Sequence, residues 1–130
     1  MISIGGYRDA NIRYTNDGGV TWIFDRSDGV PELHVNKLLW HYSESSWIYA
    51  ATDLGIYASE DNGANWEITP QLSLNSGPVF NEFTDLRWGA TGNSGGRSLY
   101  AASYGRGIWK TDQDVLTAVS YTHLTLPTKA

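Results

Sequence analysis

The sequence predicts an all-β chain of repeated four-stranded antiparallel units, and three observations carry that expectation. One motif is written twice, 44 residues apart: Thr15-Asn16-Asp17-Gly18-Gly19-Val20-Thr21-Trp22 and Ser59-Glu60-Asp61-Asn62-Gly63-Ala64-Asn65-Trp66. The match extends beyond the motif, because Ile4 to Trp22 aligns without a gap on Ile48 to Trp66. No window carries a helical apolar stripe, whereas short runs of Val, Ile, Tyr and Trp recur between turn residues. Self-similarity at a period of about 40–50 residues marks repeated blades or solenoid units. Short strands of even spacing with one aromatic motif per unit indicate a β-propeller; the competitor, a parallel β-helix, has shorter repeats.

The central unit predicts strands at about Lys37–Tyr42, Trp47–Thr52, Gly55–Ser59 and Asn65–Thr69. Between the last two lies the repeated motif, which reads as a tight hairpin. Asp17 and Asp61 can turn their carboxylates onto nearby backbone N–H groups. Gly19 and Gly63 allow the positive φ that such a turn needs. Trp22 and Trp66 then open the outgoing strand with a large apolar surface to bury against a neighbouring unit. Thr15 and Ser59 supply the leading hydroxyl of each copy.

This pattern of hydroxyl, Asp, Gly and Trp resembles the Asp-box, or BNR repeat, of sialidases, sortilin-type receptors and xyloglucan-specific endoglucanases. The first copy fits the family pattern fully, and the second has Asn65 where Thr is usual. A third, partial repeat follows. Leu99-Tyr100-Ala101-Ala102-Ser103 echoes Ile48-Tyr49-Ala50-Ala51-Thr52, and Gly107-Ile108-Trp109-Lys110-Thr111 echoes Gly55-Ile56-Tyr57-Ala58-Ser59. Leu38-Leu39-Trp40 reappears as Leu86-Arg87-Trp88, but Gln113 stands where a third box would need Asp. The run from Ala101 to Trp109 is similar to the segment that closes the last blade of secreted bacterial propellers. Gly29-Val30-Pro31 and Gly77-Pro78-Val79 resemble their entry loops.

The expected organisation is thus an incomplete ring of about two to three blades, at residues 1–35, 36–80 and 81–118. Propellers close with about 4–8 blades, so the chain reads as the C-terminal blades of a larger protein. The tail from Val119 to Ala130 fits no repeat. Its first ten residues resemble the translation of a transposase sequencing adapter, so it is set aside as non-native and His123 is not considered as a ligand.

Composition adds exclusions. A net charge of −5 without a basic stripe argues against a nucleic-acid partner. No apolar run approaches the length of a membrane span. The absence of cysteine removes disulfides and thiolate metal sites. His34 and His41 have no clustered third ligand, so no metal and no cofactor is expected. Asp17 and Asp61 belong to structural turns, so no catalytic residue is assigned, and the chain by itself is expected to lack enzymatic activity.

Ligand binding is expected instead at the opposite ends of the strands, where Asp9, Asp53, Tyr104 and Arg106 lie in turns between second and third strands. Carboxylates beside aromatics suit sugars, although Asp9 and Asp53 also fit as turn caps. The resemblance implies an extracellular or cell-surface binding or scaffolding module directed at polysaccharide or protein, with the missing blades of its own chain as partners. A glycoside hydrolase propeller of the xyloglucanase or sialidase type and a sortilin-like receptor propeller are the alternatives. Against them, no Phe/Tyr-Arg-Ile-Pro motif and no cysteine-rich segment are present.

Overall fold

A computed structural model describes residues 1–3, 12–23, 28–69, 81–90, 97–111 and 122–124. Among these, all regular structure is strand, arranged in antiparallel sheets. The first sheet pairs β1 (Ile2–Ser3) with β2 (Ile12–Arg13), and a Tyr14–Ile23 bridge extends it. The central sheet runs in chain order through β3 (Val35–Trp40), β4 (Ile48–Thr52), β5 (Gly55–Ser59) and β6 (Glu67–Thr69). The third sheet runs likewise through β7 (Phe83–Ala90), β8 (Arg97–Ser103), β9 (Ile108–Thr111) and β10 (Thr122–Leu124).

Period-two alternation fails in β4 and β5 because both of their faces are covered; all ten residues are buried. Tyr49, Ala51, Ile56 and Ala58 pack on Phe83, Leu86, Leu99 and Ala101 of the third sheet. Ile48, Ala50 and Tyr57 face the other way, onto Ile12, Leu33, Val35 and Trp66. Burial of a side chain such as Ile56 is worth about 1.5–3 kcal/mol, and this hairpin contributes side chains to both core clusters.

The four strands of the central unit fall near where the pattern places them, the first starting earlier, at Val35, and the second one residue later, at Ile48; two further boundaries differ for reasons the structure shows. The first strand ends at Trp40, short of Tyr42, because the His41 imidazole Nδ1 accepts the amides of Ser43 and Glu44 at 3.1 and 3.0 Å and turns the chain away. The last starts at Glu67, because the amide of Asn65 is held by Asp61 and that of Trp66 donates to the Asp28 carbonyl at 2.8 Å. Equivalent irregularities interrupt β3 between Val35 and Lys37 and β7 between Phe83 and Asp85.

The first unit departs further. The repeat alignment sets Gly6 opposite Arg13, whereas Ile2 pairs with Arg13 and Ser3 with Ile12. Gly5 and Gly6 offer no side chains to hold a register, and a shift by an even number keeps the same face inward.

The sequence leaves the third unit without a clear last strand, yet Thr122–Leu124 pairs antiparallel with β9 and completes its sheet. An open edge offers unpaired N–H and C=O groups to any extended segment. Backbone pairing of this kind does not read side chains, so it is compatible with an adapter origin for the tail.

The loop entering the central sheet is tied to it by a close approach. Gly29 has φ +95°, and a Cβ there would stand 2.1 Å from the Trp66 carbonyl oxygen. Gly29→Ala should therefore destabilise the fold by about 2–4 kcal/mol, combining overpacking with an unfavourable φ. Chemical denaturation checks this; a loss under about 0.5 kcal/mol, the scale of a neutral surface change, would show that the loop is not held against Trp66.

Candidate functional site

The two motif turns repeat each other bond for bond. The Gly19 amide donates to Thr15 Oγ1 at 2.9 Å, as the Gly63 amide does to Ser59 Oγ at 2.9 Å. Each hydroxyl in turn donates to the carboxylate two residues on, Asp17 or Asp61, at 2.8 Å. Asp17 Oδ1 accepts the Thr21 amide at 2.9 Å and its carboxylate also takes the Thr21 hydroxyl; Asp61 accepts the Asn65 amide at 2.8 Å and its side-chain amide at 2.7 Å. Asn65 thus does with its Nδ2 what Thr21 does with its hydroxyl. The indoles of Trp22 and Trp66 donate to the carbonyls of Gly19 and Gly63 at 3.1 and 3.0 Å.

Positive φ falls at two successive positions in each turn, Gly18 and Gly19 in one and Asn62 and Gly63 in the other. Asn is among the few side chains that tolerate this region. Asn62 also secures the turn to its surroundings, donating from its amide to the Ser46 carbonyl and from Nδ2 to the Tyr14 hydroxyl, both at 2.9 Å.

These carboxylates are consumed by the turns. Donation from Thr21 and Thr15 holds Asp17 at about 2, below its usual 3.8. Burial disfavours the charged form of Asp61, but the donors on Asn65 and Ser59 outweigh it and lower the carboxyl. Neither group is suited to carry a proton near neutrality.

The strand directions put Asp53 at the other end of the central sheet. β5 runs from the Thr52–Gly55 hairpin to Ser59, so about 16 Å of strand separates the two turns. The hairpin is held by its own hydroxyl: Thr52 Oγ1 donates to the Gly55 carbonyl at 2.9 Å and accepts the Leu54 amide at 3.2 Å. Asp53 Oδ1 accepts Asn36 Nδ2 at 3.1 Å, and the same Nδ2 lies 2.8 Å from the Phe83 carbonyl.

Tyr104 and Arg106 lie at the corresponding end of the third sheet. The Ser103 amide and hydroxyl both donate to the Gly107 carbonyl, at 2.9 and 2.8 Å, and Gly105 and Gly107 each have φ +77°. Gly105-Arg106-Gly107 is therefore a tight turn. It projects Tyr104, 75% exposed, while the Tyr104 amide donates to the Glu82 carbonyl at 2.9 Å. The Asp53 and Tyr104 turns thus meet through the neighbouring residues Glu82 and Phe83. Asp9 lies outside the described residues.

Sequence reasoning missed Asn36 and Glu82, which join these turns. Asn36 sits at the irregularity in β3, a position that a regular strand pattern does not mark. His41 is part of an aromatic group instead, stacked on Tyr42 at 4.5 Å between centroids and edge-on to Trp47 and Trp88. Among the described residues no group of three or more His, Asp or Glu side chains could hold a metal, and no helix is long and apolar enough to cross a membrane.

A carboxyl lowered by folding contributes stability above its unfolded pKa and loses it as pH falls through the folded value. With Asp17 moving from 3.8 to about 2 and Asp61 in the same direction, the thermal midpoint should hold above about pH 5 and fall between about pH 4 and 2. Asp17→Asn combined with Asp61→Asn should flatten that fall. An unchanged acid slope in the double variant would mean that the turn carboxylates are not ionised partners of their donors.

No family model, no curated protein and no solved structure matches the chain.

Proposed function

We propose that the chain is part of an Asp-box β-propeller serving as an extracellular binding or scaffolding module. Its ligand is carbohydrate, taken at the end that carries Asp53, Tyr104 and Arg106. The observation that carries this reading is the separation of roles between the two ends. At one end Asp17 and Asp61 are saturated by their own turns. At the other, Asp53 shares Asn36 with the next sheet beside an exposed tyrosine and an exposed arginine.

The chemistry suits a sugar. Carboxylate and guanidinium groups exchange hydrogen bonds with hydroxyls, and an exposed tyrosine offers a flat apolar face with a polar rim. The chain-order stacking of sheets on the doubly buried β4–β5 hairpin is the packing that neighbouring blades need.

Glycan-array screening followed by calorimetric titration tests the assignment. Asp53→Ala and Tyr104→Ala should each weaken glycan binding about tenfold, equivalent to about 1.4 kcal/mol, with stability changed by less than about 1 kcal/mol. Asp61→Ala should do the reverse, costing about 1 kcal/mol because its donors reach solvent, with the affinity of the folded protein retained. Loss of affinity in a folded Asp61→Ala protein would place the ligand at the wrong end. Turnover of a xyloglucan or sialoside probe would instead favour a glycosidase.

A further inference from the structure

The third sheet has an inner face, packed on the central sheet, and an outer face that forms a shallow groove lined by Asp85, Arg87, Tyr100, Ala102 and Ile108. Register identifies the counterpart of each position. Arg87 pairs with Tyr100 as Leu39 pairs with Tyr49, and Asp85 pairs with Ala102 as Lys37 pairs with Ala51. Ala102 pairs with Ile108 as Ala51 pairs with Ile56. The groove is therefore the same face of the unit that, in the central sheet, lies under Phe83, Leu86, Leu99 and Ala101. There Tyr49, Ala51 and Ile56 are at most 1% exposed, whereas Ile108 is 48% exposed.

The apolar centre recurs, with Tyr, Ala and Ile at matching positions, and the Tyr100 ring lies over Gly89, where a Cβ would stand 2.5 Å from it. The charged flank recurs in altered form. In the covered interface Lys37 Nζ reaches Asp85 Oδ1 of the covering sheet at 3.9 Å. Asp85 is thereby spent on the sheet beneath it. The cation of the groove is Arg87, two residues along the same strand and on the same face, with its side chain 79% exposed. It donates from Nε to Asp85 Oδ2 at 2.8 Å, and a guanidinium has further N–H donors to offer. The charges thus alternate outward, from Lys37 to Asp85 to Arg87, and an acid is the next member of the series.

We propose that the outer face of the third sheet is covered by a further unit of the same repeat. That unit lays its counterparts of Phe83, Leu86, Leu99 and Ala101 on Tyr100, Ala102 and Ile108, and turns a carboxylate to Arg87. The occupant is identified by the interface formed one unit earlier, where the same face, in the same register, takes the next sheet in chain order. Repeat units bury their faces against their neighbours. The proposal rests on reading the chain as part of a larger repeat assembly; it does not depend on what that assembly binds.

Thiol labelling tests it, because the chain has no cysteine of its own. The probe is an extended chain with a copy of residues 70–124 appended after Leu124, which brings the apolar inner face and the carboxylate of Asp85 with it. Ile108→Cys, on a half-exposed side chain, should react with iodoacetamide at least about tenfold more slowly in the extended chain than in the unextended one, since cover limits access to the thiol. Asp85→Ala in the appended copy alone should restore part of that rate; a rate indifferent to it would overturn the acidic flank. Ile56→Cys in the unextended chain is the reference, covered by the third sheet and slow to react. Equal reactivity of Ile108→Cys with and without the appended unit, beside a protected Ile56→Cys, would overturn the proposal and leave the repeat reading standing. A reactive Ile56→Cys would overturn both. Protection of Ile108→Cys that grows with the concentration of the unextended chain would assign the face to a second copy and overturn the proposal equally.

Discussion

The β4–β5 hairpin is the constraint on which the rest of the structure depends. Five residues on each strand are buried, so every side chain must suit one of two interfaces and none can be spared for solvent. Tyr49 and Ile56 commit one face to the third sheet, and Ile48 and Tyr57 commit the other to Ile12 and Trp66. A one-residue slip would exchange those sets, placing Tyr49 and Ile56 where Ala50 and Tyr57 now fit. Register is therefore held from both sides, and the turns at either end of β5 are fixed in space by it.

From that hairpin the two ends diverge in chemistry. The motif turn satisfies itself, with a hydroxyl, a carboxylate and an indole each spent on the turn's own backbone and side chains. Asn62 reaches out, to Ser46 and to Tyr14 of the preceding unit, as the Trp66 amide does to the Asp28 carbonyl. At the opposite end a bond runs between sheets, from Asn36, which also holds Asp53, to Phe83, while Tyr104 is tied to Glu82 beside it in the third unit. One end locks each unit; the other couples neighbouring units and leaves side chains such as Tyr104 exposed.

Much of this was legible because the repeat sits in local sequence. Asp17, Gly19 and Trp22, matched with Asp61, Gly63 and Trp66, specify a turn by short-range hydrogen bonds that no distant residue needs to complete. The strands of the central unit follow from apolar runs bounded by turn residues. What was not legible depends on distance. The interlock of Gly29 with the Trp66 carbonyl joins residues 37 positions apart. The bridge from Asn36 to Phe83 spans 47, and its donor sits at an irregularity that alternation does not foretell. The first-unit register departs from what the repeat alignment implies, and Gly5 and Gly6 carry no side chains to mark it. Pairing of Thr122–Leu124 with β9 was invisible because an open edge accepts backbone without regard to sequence.

Native-state hydrogen exchange tests the central claim, that a doubly buried hairpin organises the chain, most directly. The amides of Tyr49 to Ala51 and Ile56 to Ala58 should be the slowest in the molecule, exchanging only through global unfolding, while those of Ser3 and Arg13 in the two-stranded first sheet exchange through local opening. Exchange of the β4–β5 amides as fast as those of β1 and β2, under conditions where the chain is folded, would contradict the claim.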